Sequence, residues 1–99
     1  MTFIVAKKQG PHGLLLIISD KGDVGKLFQE GRKQLDLRKE FYQGDEKTAK
    51  EVELLLGTVQ HLHFTGKQAV ALGITAGFID QRCILYVQQV PHAEVVMSL

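Results

Sequence analysis

Apolar positions along this chain come in short runs, in alternations and in three stretches with helical spacing. Thr2 to Ala6 and Leu14 to Ser19 read as two strands. Between them, Lys7-Lys8-Gln9-Gly10-Pro11-His12-Gly13 is punctuated by Gly and Pro as a hairpin loop is. Val24, Leu27 and Phe28 fall at i, i+3 and i+4, behind Asp23 as an N-cap and before Gly31 as a stop, so a short helix is expected there. Leu35 and Leu37 alternate with polar neighbours and predict a brief edge strand. Ala49, Val52, Leu55, Leu56 and Val59 line one face of a second helix, opened by Asp45 or by the capping box Thr48-x-x-Glu51 and stopped by Gly57.

Beyond Gly57, Leu62 and Phe64 alternate with His61 and His63, which favours a strand with both histidines on a solvated face. Thr65-x-x-Gln68 resembles another capping box, and Ala69, Val70, Leu72, Gly73 and Ala76 predict a third helix whose small residues let it lie close to a sheet. Cys83-Ile84-Leu85-Tyr86-Val87 is apolar throughout, as a strand covered on both faces is, and is expected to be the central strand. Residues 58 to 87 then read as a β-α-β unit. The expected class is α+β: a two-layer α/β sandwich in the order ββαβαβαβ, with a mixed sheet of about five strands and three helices on one face.

Composition narrows the field. Ninety-nine residues predict one domain, 1–99, with a core of its own. Twelve basic against eleven acidic residues leave a formal charge of +1, so any attraction to nucleic acid must be local. No apolar run approaches the roughly 18 residues of a membrane span, and the N-terminus lacks the basic start and length of a signal peptide. One cysteine, Cys83, sits in an apolar run and is expected to be buried. A cytoplasmic setting follows as the expectation.

Candidate chemistry is sparse. Gly22-Asp23-Val24-Gly25-Lys26 could hold a phosphate at the start of the first helix, although it lacks the P-loop spacing and Asp23 would repel the anion. Basic pairs at Lys7-Lys8, Arg32-Lys33 and Arg38-Lys39, the last followed by Phe41 and Tyr42, are what single-stranded RNA binding uses, with Asp36 and Glu40 diluting the field. His61 and His63 would point the same way on a strand, yet no spacing supplies a third ligand, so no metal and no cofactor is expected. Pro91-His92-Ala93-Glu94 is expected to form a functional surface: proline fixes the backbone, and a histidine near Glu94 can change charge close to neutral pH.

Several segments together resemble one family. Gly25-Lys26-x-Phe28-x-Glu30-Gly31, Leu35-Asp36-Leu37, Glu40-Phe41-Tyr42-x-Gly44, Gly66-x-x-Ala69-Val70, Gly77-x-Ile79-Asp80 and Val90-Pro91-His92-Ala93-Glu94 look like the small archaeal proteins grouped as domain of unknown function 424. The resemblance implies a two-layer α/β sandwich and brings no activity with it. Where this chain has Gln88-Gln89, the family has Gly-Gly, and its Glu94 is often Gln there.

The favoured functional class is a non-enzymatic binding module for RNA or a protein partner, with Lys26, Arg38, Lys39, Phe41, Tyr42, Pro91, His92 and Glu94 as its surface. The alternative is a small enzyme or ligand-binding protein with a site joining His92, Tyr42 and Asp80.

Overall fold

The computed structural model describes residues 2–11 and 13–97, which leaves the loop residue His12 outside the description. Strands β1 (Thr2–Gly10) and β2 (Gly13–Asp20) form the expected N-terminal hairpin. They are joined in one sheet by β5 (Asp45–Thr48), β6 (His61–Thr65), β7 (Leu85–Val87) and β8 (Val90–Val96). The order across this six-stranded sheet is β5-β1-β2-β6-β8-β7, parallel only between β2 and β6. A second, two-stranded sheet pairs β3 (Leu27–Glu30) with β4 (Lys33–Asp36). Two α-helices, α1 (Ala49–Leu56) and α2 (Lys67–Thr75), occupy the described residues. The longer of the two has nine residues, and no helix among the described residues is long and apolar enough to cross a membrane.

Strand alternation divides the core in two. On one face, Phe3, Val5, Leu16, Ile18, Leu62, Phe64 and Ala93 meet Val52 and Leu56 of α1 and Ala69 and Val70 of α2. The helices do lie on one face, as expected. On the other, Ala6, Leu15, Ile17, Val87 and Val90 are covered by Leu35 and Leu37, with Val24, Phe28, Phe41 and Tyr42 around them. The small hairpin is therefore a third layer, and it exists because its own apolar side chains need a surface to bury.

The expected first helix is absent. Lys21–Asp23 makes one 3₁₀ turn, and Leu27 and Phe28 lie in β3, which returns through Gly31-Arg32 into β4. Three apolar positions in five residues fit a helix face or a twisted strand equally, and the left-handed φ of +61° at Gly31 belongs to a tight hairpin turn.

The expected central strand is an edge. β7 is bordered only by β8, Leu85 and Tyr86 are 64% and 53% exposed, and Cys83 is exposed too. The residues at the middle of the sheet are those of β2 and β6 instead. What displaced β7 is the turn at Gln88-Gln89: both residues take left-handed φ values, 49° and 67°, and fold Val90–Val96 back as β8 between β6 and β7. Because β8 is antiparallel to both neighbours, β6 and β7 run in the same direction, so the expected β-α-β unit is present but split by an inserted strand.

Proline inside a sheet ordinarily costs a ladder bond. Here Pro91 accepts from Gly66 N–H (2.9 Å), while the Gly66 carbonyl that would have needed an N–H in return is taken by Val70 N–H of α2 (2.9 Å). The helix start thus removes the partner that Pro91 cannot serve.

Candidate functional site

The face beneath the hairpin is where the polar groups gather. Register places His63 opposite Glu94, and Ile17 beside His63. One step along, Ser19 lies beside Thr65, Thr65 opposite His92, and His92 opposite Leu85. Two cross-strand rows on one face of a covered sheet therefore carry Ser19, Thr65, His63, His92 and Glu94, with His61 at the next step. The solvated face expected for His61 and His63 is contradicted: His61 is buried, and His63 is half-buried under Phe41 and Tyr42 of the 3₁₀ turn Glu40–Tyr42.

Each member has a distinct environment. His61 Nε2 stands 2.5 Å from Glu94 Oε2. His63 packs edge-on against Phe41 (centroids 5.6 Å apart) and near Tyr42 (6.2 Å), and its Nδ1 is buried without a hydrogen-bond partner. Burial pushes its pKa down to about 4, helped by His92 and His61 and opposed by Glu94. Burial also lowers His92. The hydroxyls of Ser19 and Thr65 are fully buried with no hydrogen-bond partner among the described residues, an arrangement costing on the order of 1–3 kcal/mol each.

His92 opens onto a pocket of about 280 Å³ lined by Lys33, Gln34, Leu85, Tyr86, Val87 and His92. β4 supplies the cation and amide, β7 the apolar wall and β8 the imidazole. Glu30 holds this corner together: its Oε1 accepts from Gln88 N–H (2.9 Å), tying the β3–β4 hairpin to the β7–β8 turn. Sequence reasoning did not find Leu85, Lys33 or Thr65 as neighbours of His92. The signal that could have found them is the pairing of two apolar runs around Gln88-Gln89, hidden because neither residue is the Gly or Asn such turns favour.

The remaining expected site residues are dispersed. Lys26 is drawn beside Arg38 and Lys39 by Leu37 N–H to Lys26 O (2.9 Å) and Gly25 N–H to Leu37 O (2.8 Å). Arg38 is held by Asp36 through two bonds (2.8 and 3.0 Å), and that contact brings the Asp36 carboxyl down to about 2. Phe41 and Tyr42 are not a free aromatic pair, since Tyr42 is buried and the two rings meet edge to face at 5.0 Å. Burial, with Asp36 nearby, raises the Tyr42 hydroxyl pKa. Pro91 is buried, and Glu94 is exposed except for its bond to His61. Asp80 turns to Arg82, bonding its backbone N–H and guanidinium, so the grouping of Asp80 and Tyr42 with His92 has no support in their contacts. The Gly22–Lys26 segment has lost the helix that was to supply a dipole for phosphate. Asp23 there is raised by burial and by Asp20 beside it.

These features can be set beside known proteins. No curated protein matches the chain. Its fold is similar to the "Crystal structure of an uncharacterized conserved protein from Methanopyrus kandleri", an archaeal protein, with a TM-score of 0.78 over 100% of this chain and 96% of that one. At 15% identity this likeness shows the shared fold alone. A family model described as "Protein of unknown function (DUF424)" matches residues 8–97, nearly the whole chain, and the protein belongs to that family.

Proposed function

We propose that this protein is a non-enzymatic binding module that docks an extended segment of a protein partner along β7, beside the His92 pocket. The observation that carries this reading is the contrast between the two edges of the sheet. β5 is charged, with Asp45, Glu46 and Lys47, and Lys21 pairs with Glu46 at 2.9 Å. Charges of that kind blunt an edge against pairing. β7 is Leu85-Tyr86-Val87, without charge or proline; the β3–β4 hairpin covers Val87 on one face, Leu85 and Tyr86 stay exposed, and the strand adjoins a pocket. An added strand gains main-chain hydrogen bonds there, and the pocket reads one of its side chains.

A second reading keeps RNA as the partner, supported by the backbone pairing that gathers Lys26, Arg38 and Lys39. The commitment of Arg38 to Asp36 and the burial of Tyr42 weaken it, because stacking needs an open ring.

Affinity purification of the tagged full chain, with and without ribonuclease, separates the two, followed by binding measurements on whatever partner is identified. Edge docking expects one protein to be retained after ribonuclease, lost in Leu85→Lys and His92→Ala, and kept in Lys26→Ala. Binding that vanishes with ribonuclease, weakens in Lys26→Ala and has a flatter salt slope in that variant would favour RNA and overturn the protein-partner reading.

A further inference from the structure

We infer that the His92 pocket is a carboxylate-binding subsite that seats an acidic side chain of the docked partner segment. This rests on the edge-docking reading above and goes on to specify what the partner must carry.

The charge balance of the pocket points to an anion. Lys33 and His92 line it, and none of the six lining residues is acidic. The nearby carboxylates are already engaged, Glu94 with His61 at 2.5 Å and Glu30 with the Gln88 N–H at 2.9 Å. Thr65 and Ser19, which continue the cross-strand row of His92 into the sheet, are fully buried and lie outside the pocket's lining, so the pocket's own groups make the site. The Lys33 ammonium and the His92 imidazole, which offers an N–H even when neutral, are the complement of an oxyanion, since a carboxylate accepts several hydrogen bonds and donates none. Leu85 and Val87 supply an apolar wall for the methylenes that carry the carboxylate.

Strand geometry says why a single side chain is read. A segment paired with β7 projects alternate side chains onto the face shared by Leu85, Val87 and His92, and β7 is only three residues long. One acidic residue flanked by strand-forming neighbours therefore fits. A run of acidic residues gains nothing further from the pocket.

The test uses the full chain, isotope-labelled for NMR, with two capped five-residue probes, Thr-Val-Glu-Val-Thr and its Gln counterpart, and octauridylate as a third. Both peptides are expected to shift the Leu85–Val87 amides, while the Glu probe alone shifts the His92 ring and binds about tenfold more tightly. Lys33→Gln, at an exposed position lining the pocket, is expected to erase much of that preference and to melt at the parent's temperature. Equal affinity for the Glu and Gln probes would overturn the carboxylate subsite and leave edge docking standing. Failure of both peptides to move the Leu85–Val87 amides would overturn both readings. Salt-sensitive shifts of pocket signals by octauridylate instead would make nucleic acid the occupant and refute a protein segment.

Discussion

The carboxylate of Asp20 occupies the space that a side chain on Gly66 would need: a Cβ built on Gly66 would lie 2.3 Å from the Asp20 Cγ. Asp20 ends β2, and from there it accepts from Gln68 N–H (3.0 Å) and Ala69 N–H (2.7 Å), capping α2 across the sheet. The cap expected from Thr65 is therefore wrong, because Gly66 is the N-cap and Thr65 faces the core.

Asp20→Ala is expected to cost about 1 kcal/mol, the usual loss for a removed N-cap. Gly66→Ala should cost more, roughly 3 kcal/mol, since φ at Gly66 is +107° and the new methyl meets Asp20. The double variant is expected to lose clearly less than the sum, because deleting the carboxylate relieves the clash. Urea denaturation of the three variants measures this; strict additivity would show that the two residues do not share the space.

The turn at Gln88-Gln89 holds two non-glycine residues in the left-handed region. Replacing them with Asn-Gly, the pair favoured for a two-residue hairpin turn, is expected to stabilise the fold by about 1 kcal/mol. The Gln88 N–H that binds Glu30 is retained in such a variant. A lower denaturation midpoint would contradict the turn geometry.

Protonation of His63 is disfavoured in the folded protein, with its pKa taken down to about 4 from 6.5 by burial. Between those values the unfolded chain binds the proton and the folded one does not, so stability rises with pH across the window and falls as pH drops from 6.5 to 4. The whole window corresponds to about 3 kcal/mol at roughly 1.4 kcal/mol per pH unit. His63→Leu is expected to flatten this slope by close to one proton, seen as a smaller gap between urea midpoints at pH 7 and pH 4.5. Parallel curves for parent and variant would place the acid sensitivity elsewhere.

Cys83 is exposed at the end of the short turn Gln81–Cys83. Native protein should therefore react with Ellman's reagent without denaturant, at a rate within about threefold of the unfolded chain. Protection of the thiol until unfolding would mean that this segment is covered.

Local signals served at α1 and failed at Val24–Phe28 and Thr65-x-x-Gln68, where pairing and capping come from elsewhere in the chain. Helix α1 appears where Thr48 and Glu51 predicted it, with both halves of the capping box formed (3.0 and 3.2 Å), because the partners are three residues apart. Gly57 closes it as expected. The cap on α2 comes from 48 residues away, and no local window contains it. The strand expected around Leu35 is present, with Leu37 just past its end, but the surface both bury against is built by β1, β2, β7 and β8, and the packing of Phe41 and Tyr42 on His63 was invisible for the same reason. The expected five strands and three helices became a six-stranded sheet, a hairpin and two helices: Leu27–Glu30 pairs with β4, Asp45–Thr48 joins β1, and Gln88-Gln89, which does not look like a turn, folds β8 back on β7. Of the expected surface, His92 opens onto a pocket and Tyr42 belongs to the core.

The position of β8 also sets an order of events for a ribosome-made chain. β8 is synthesised after β6 and β7, yet it lies between them, so neither strand has that neighbour until residues 90–96 emerge. A molecule in which residues 90–96 have yet to pair can join β5, β1, β2 and β6, but the outer flank of β6 stays open, with Leu62 and Phe64 on one side of the strand and the histidines on the other. Such an unpaired flank invites association between chains. The seven-residue β8 thus acts as a zipper pull, and any delay in its pairing lengthens the interval in which unfinished molecules can aggregate.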